Sequence, residues 1–128
     1  MQLGNTQAGL FLAGRTLMSV IFIVAGIGKL TGYAATQGYM ESMGVPGALL
    51  PLVILLELGA GLALLLGWRV RAAALGLAVF SVVSALIFHF NLADQMQSIL
   101  FLKNLAIAGG LLFVAGAGAG ALAVGRDV

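Results

Sequence analysis

Four long apolar runs, separated by short polar stretches, carry most of this chain. Each is long enough to cross the roughly 30 Å hydrocarbon core of a bilayer as a helix. The pattern predicts an all-α fold, a transmembrane four-helix bundle forming one domain over residues 1–128. The spans are expected at about residues 9–30, 46–68, 70–90 and 98–124. In the first run, Arg15, Ser19, Phe22, Gly26 and Lys29 recur at alternating steps of four and three. That spacing makes a single stripe, which should face the bundle.

The second run reads PGALLPLVILLELGAGLALLLGW and holds Glu57 near its middle. A carboxylate at that depth costs about 2.5–3.5 kcal/mol even on the lenient insertion scale, so it needs a partner. Gly59, Ala63 and Gly67 follow at small-xxx-small spacing, which predicts close helix contact. In the third run Ser81, Ser84 and Phe88 share a face, and His89 stands at the far end. The fourth run opens with Lys103 and Asn104 in its first turns and closes on an alternating Gly/Ala tail, Gly116 to Gly120, expected to pack loosely. The longest connection, Thr31 to Val45, spaces Tyr33, Met40 and Met43 as a helix would. A short interfacial helix is expected there, its tyrosines at headgroup level. Pro46 suits the first turn of the second span.

Composition narrows the class. The 128 residues are 62% hydrophobic and 8% charged, against about 25% charged in soluble domains. No soluble domain fits beside four spans. The net charge of +2 is small and scattered, so no nucleic-acid partner is expected. The absence of cysteine excludes disulfides, thiol catalysis, iron–sulfur clusters and thiolate zinc sites. The single histidine excludes a bis-His haem. No metal site and no covalently bound cofactor are expected, and the chain alone is not a complete redox enzyme. The first run lacks a basic leader and a small-residue cleavage site, so it reads as a retained helix.

An even number of spans puts both termini on one side. Arg69, Arg71 and Arg126 lie there, which by the positive-inside rule makes the arrangement N-in/C-in in a bacterial cytoplasmic (inner) membrane. Side chains on a helix lean toward its N-terminus. Lys29 and His89 therefore lean into the membrane and Glu57 leans outward, with Lys103 above it. Arg15 is nearer Glu57 in depth than Lys29 is, but leans away. Arg15 and Lys103 stand as the leading partners of Glu57, with an Arg15–Glu57 structural ion pair among the expectations.

Taken singly, these polar residues have plainer readings. Ion pairs can fix helix register, His89 can simply be wet at the interface, Ser81 and Ser84 can be helix glue, and Tyr33 and Tyr39 can be belt residues. Taken together, they point to a polar pocket built from Lys29, Glu57, His89, Lys103 and Asn104, with Phe22 and Phe88 as ring-packing faces. Glu57 and His89 are the candidate proton-transfer groups.

At these positions the chain resembles the DoxX family of small four-helix membrane proteins. The resemblance rests on Gly14-Arg15, Phe22-x-x-x-Gly26-x-x-Lys29-Leu30 and Met43-Gly44-Val45-Pro46. It continues through Glu57-Leu58-Gly59-x-Gly61-Leu62, Gly67, Arg71, Phe88-His89, Lys103-Asn104 and Gly109-Gly110-Leu111-Leu112. The resemblance implies a membrane subunit. Related DoxD-type proteins are associated with thiosulfate:quinone oxidoreductase, and other members with oxidative or thiol stress and quinone detoxification. Three readings follow. The first is a quinone-binding subunit of a redox complex, with a second redox subunit on either side of the membrane supplying electrons. The second is a non-catalytic scaffold for a soluble redox enzyme. The third is a small-molecule permease working as a homo-oligomer. The lipid bilayer is a partner in all three.

Overall fold

The structure, a computed structural model, describes residues 2–125; Arg126 lies outside them. Five helices follow in order: α1 (Gln2–Thr31), α2 (Tyr33–Ser42), α3 (Leu50–Leu66), α4 (Val70–Phe88) and α5 (Gln95–Ala117). A single 3-10 turn, Gly47–Leu49, leads into α3. Among the described residues there is no strand. α1, α3, α4 and α5 are long and apolar enough to cross a membrane, and α2 is the short helix expected between the first two spans. α1 runs along α3, α4 along α5, and α3 against α4 joins the two pairs.

The element ends follow local chemistry. Pro51 occupies the first turn of α3, where a missing N–H costs nothing. Gly67 ends α3 in the left-handed region at φ 83°, a conformation that glycine adopts without a Cβ penalty. α5 begins at Gln95, earlier than the hydropathy pattern suggests, because Asp94 caps it. Asp94 Oδ1 accepts from the backbone N–H of Met96 (2.9 Å) and Gln97 (3.2 Å). α5 then stops at Ala117 rather than continuing to residue 124, since Gly118 and Gly120 both take positive φ.

The tail that follows is held, contrary to the loose packing expected of it. Gly118 and Ala119 are buried, and Val124 N–H donates to Leu66 O (2.9 Å) and Gly125 N–H to Gly67 O (3.2 Å). These bonds satisfy carbonyls that the end of α3 would otherwise leave orphaned. Arg71 does the same for α5, its guanidinium donating to Gly116 O at 3.0 Å.

The Arg15–Lys29 stripe faces inward as its spacing requires. Arg15 and Ser19 are fully buried, Phe22 and Gly26 are buried, and Lys29 is half-buried. Around it the main core joins Phe22, Leu64, Val70, Leu77 and Leu111 with Ala74, Ala78 and Ala108. Small residues on α4 and α5 let those helices approach closely.

Of the three small residues expected to make close contact, Ala63 and Gly67 are buried, and a Cβ on Gly67 would lie 2.5 Å from Ala123 Cβ. Gly59 is exposed, with open space where a Cβ would stand. α1 and α3 approach closely at Gly26, which faces Leu58, and at Gly61, which faces Ile23 and Phe22. A Cβ on Gly26 would lie 2.6 Å from Leu58 Cγ, and one on Gly61 would lie 3.1 Å from Ile23 Cγ1. The paired face of α3 is set by the helix it packs against, which the spacing on α3 alone does not reveal. Gly26→Ala should therefore lower stability by about 1–3 kcal/mol through overpacking. Gly59→Ala should be neutral or gain up to about 1 kcal/mol of helix propensity. Thermal unfolding in detergent micelles followed by circular dichroism compares the two.

Candidate functional site

Glu57 is almost wholly buried on α3, roughly 10 Å along the helix from its start. Its partner is Lys29: Nζ lies 2.8 Å from Oε1. Neither Arg15 nor Lys103 takes that place. The direction of lean decides the pairing, as Lys29 points down α1 toward the bundle centre and Glu57 points up α3 to meet it. The glycine approach at Gly26 brings the two backbones close at this level. Arg15 leans away from Glu57, and its Nη1 donates to Leu64 O (2.9 Å) while Nη2 donates to Leu122 O. The Arg15–Glu57 ion pair is thus replaced by a guanidinium that ties α1 to the end of α3 and to the tail.

The Lys29–Glu57 pair stands in the wall of a cavity of about 460 Å³. Phe22 and Ala25 of α1, Val53 of α3 and Ile107 of α5 supply apolar wall, and Phe80, Phe88 and Ile87 of α4 supply more. Ser81 and Ser84 of α4, His89 just past its end and Asn104 of α5 add polar groups to the same space. Lys29, Glu57, His89, Asn104, Phe22 and Phe88 are therefore brought together, as the sequence pattern implies. Lys103 is not. It immediately precedes Asn104 on α5, about 100° around the helix, and is exposed.

Two hydrogen bonds orient the polar rim. Asn104 Nδ2 donates to Ser81 O (3.3 Å), crossing from α5 to α4. His89 Nδ1 lies 2.8 Å from Gln97 Oε1. With the amide oxygen facing it, the ring donates from Nδ1 to Gln97.

α2 closes one end of the cavity. Met40 is buried in a second core with Leu50 and Ile54, and Tyr39 stacks on Phe88 with ring centroids 5.4 Å apart. Gln37 Nε2 donates to Gly47 O (3.1 Å), pinning α2 to the start of the second span. Tyr39, Thr36 and Met40 all line the cavity. Tyr39 is thus a wall residue as well as an interfacial one, and Ser81 and Ser84 face the cavity rather than serving only as helix glue. The helical spacing of α2 was legible, but which helix it covers depends on the Met40 contacts.

A four-span bundle with an ion pair and several hydrogen-bonding groups in one membrane-embedded cavity defines a polytopic membrane protein with an internal polar site. The DoxX family model matches residues 10–90, and the chain belongs to that family. It is 54% identical over 115 residues to the inner membrane protein YqjF of Escherichia coli K12, covering 90% of this chain and 88% of that one. It is 32% identical over 130 residues to the inner membrane protein YphA of the same organism, covering 96% and 93%. No solved structure matches. The protein is a multi-pass protein of the bacterial cytoplasmic membrane.

Proposed function

We propose that the cavity binds a quinone, and that the protein serves as the quinone-interacting subunit of a membrane oxidoreductase or oxidative-stress complex. The observation that carries this reading is a membrane-embedded cavity, mostly apolar, into which Lys29, Glu57, Ser84, His89 and Asn104 converge. Its volume falls within the roughly 300–1,000 Å³ of small-molecule sites, and its chemistry is that of an apolar pocket with a few placed polar groups. A quinone is a flat apolar ring with two carbonyl acceptors. Lys29 and Asn104 are donors for those oxygens, and Phe22 and Phe88 offer faces for the ring.

Reducing a quinone to a quinol takes up two electrons and two protons. Glu57 and His89 are the groups in the cavity wall that can hand on protons. The electrons come from a second subunit, since the chain has no cysteine and one histidine. In the proposed N-in/C-in orientation, Arg69 and Arg71 face the cytoplasm and the cavity lies in the outer half of the membrane. The four spans run without a break. The discontinuous helices that mark many transport sites are absent from them, which favours a binding subunit over a permease.

The test is mass spectrometry of organic extracts from the purified native protein, followed by titration with a short-chain ubiquinone or menaquinone analogue. The expected result is a co-purifying quinone near one per chain and saturable binding of the analogue. Protein that neither retains a quinone nor binds either analogue would overturn the reading.

A further inference from the structure

The cavity has walls from α1 and from α4, yet those two helices make no extended contact with each other. On the α1 side the lining residue Ile21 is 44% exposed, and on the α4 side Val83 and Ile87 are 47% and 39% exposed. The inner wall is different: Phe22, Glu57 and Ser81 are buried. The gap between α1 and α4 is thus rimmed by large aliphatic side chains at a depth where the surroundings are acyl chains, and the polar groups lie behind it. At the other end α2 lies across the cavity with Met40 buried and Tyr39 stacked on Phe88, and the lining residues Tyr39 and Leu49 there are 48% and 42% exposed. Tyr39 and Leu49 mark that interfacial end.

We propose that the gap between α1 and α4 is a lateral portal. Through it an amphiphile with a polar ring and an apolar tail enters the cavity from the bilayer. The ring seats at Lys29, Glu57 and Asn104, and the tail stays between Ile21, Val83 and Ile87, in contact with lipid. The ring's chemistry rests on the quinone reading, whereas the route rests on the rim alone. A rim of aliphatic residues offers water and ions no hydrogen bond, so a soluble polar ligand gains nothing there. A lipid-soluble one meets the same environment it leaves.

The chain contains no cysteine, so a single introduced thiol reports without ambiguity. Ser84→Cys places one on the cavity wall, and Ile107→Cys reports from α5 where Ser84→Cys does not fold. In proteoliposomes each is treated with a lipid-soluble pyrene maleimide or a membrane-impermeant sulfonated maleimide. The lipid-soluble reagent should label faster by about tenfold or more, because it concentrates in the bilayer and the anionic reagent does not. Ile21→Trp or Val83→Trp should slow that labelling several-fold, while Leu49→Trp should leave it unchanged. The portal is refuted if the sulfonated reagent keeps pace, or if Leu49→Trp is the variant that slows labelling. Portal labelling in protein that binds no quinone analogue removes the quinone and keeps the portal. Analogue binding with labelling only by the sulfonated reagent removes the portal and keeps the quinone.

Discussion

Lys29→Met should lower the stability of the protein by about 3 kcal/mol, because it strands a buried carboxylate. The size follows from the geometry: Glu57 is nearly inaccessible and its carboxylate is 2.8 Å from the ammonium. Some of the loss is offset by protonation of Glu57, since a buried acid without a counter-charge neutralises itself. The double variant Lys29→Met/Glu57→Leu should recover most of the loss, as buried ion pairs replaced by apolar residues of similar volume are often neutral or stabilising. Ligand binding should be lost in both. Denaturant unfolding in micelles, paired with a quinone-analogue titration, separates the two effects. If the pair only fixes helix register, as the scaffold reading holds, binding in any surviving variant should match the native protein. If the double variant is as unstable as the single, the ion pair holds the bundle together in its own right.

Arg15→Met should cost more, about 3–5 kcal/mol, and should act at the opposite end of the bundle. The guanidinium is fully buried and bonded to Leu64 O and Leu122 O. Hydrogen bonds to charged groups are worth about 1.5–3 kcal/mol each, and carbonyls left bare in lipid are costly. Losing them should also release residues 118–125, which lean on the same carbonyl cluster through Val124 and Gly125. Arg15→Lys should rescue only part of this, because an ammonium is a single point and cannot bridge two separated carbonyls as a planar fork does. Limited proteolysis in micelles checks it: cleavage after Ala117 should quicken in Arg15→Met. Unchanged cleavage would mean that the tail is anchored by its backbone bonds alone.

The four spans were legible because twenty-odd apolar residues in a row admit few alternatives. So was the inward stripe from Arg15 to Lys29, since 3.6 residues per turn fixes which positions share a face. The convergence of Lys29, Glu57, His89 and Asn104 followed from the same rule applied to each span, together with the need of a buried carboxylate for company.

Choosing the partner of Glu57 was harder, because depth and lean give opposing answers for Arg15. Depth favoured the guanidinium. The real geometry follows lean, and the carbonyls at the end of α3 claim Arg15 first. Lys103 shows the limit of reasoning by depth alone: it is at the right level, but its side chain is on the outward face of α5. The packing glycines and the role of Tyr39 depend on contacts between distant segments, Gly26 on Leu58 and Tyr39 on Phe88. Spacing within one helix carries no record of them. The tail was missed for a related reason. Gly118 to Gly125 has no hydrophobic period, and it docks through the orphaned carbonyls of α3, the Arg15 guanidinium and the core contacts of Ala119.

The carboxylate in the cavity wall should serve the ligand as well as the bundle. The direct measurement is the affinity of folded Glu57→Gln for a short-chain quinone analogue, beside that of the native protein. Glutamine keeps the shape and can still accept from Lys29, so the bundle should survive. The expected affinity is about tenfold weaker, the equivalent of losing one charged hydrogen-bonding group worth roughly 1.4 kcal/mol. Native affinity in a folded Glu57→Gln protein would contradict it.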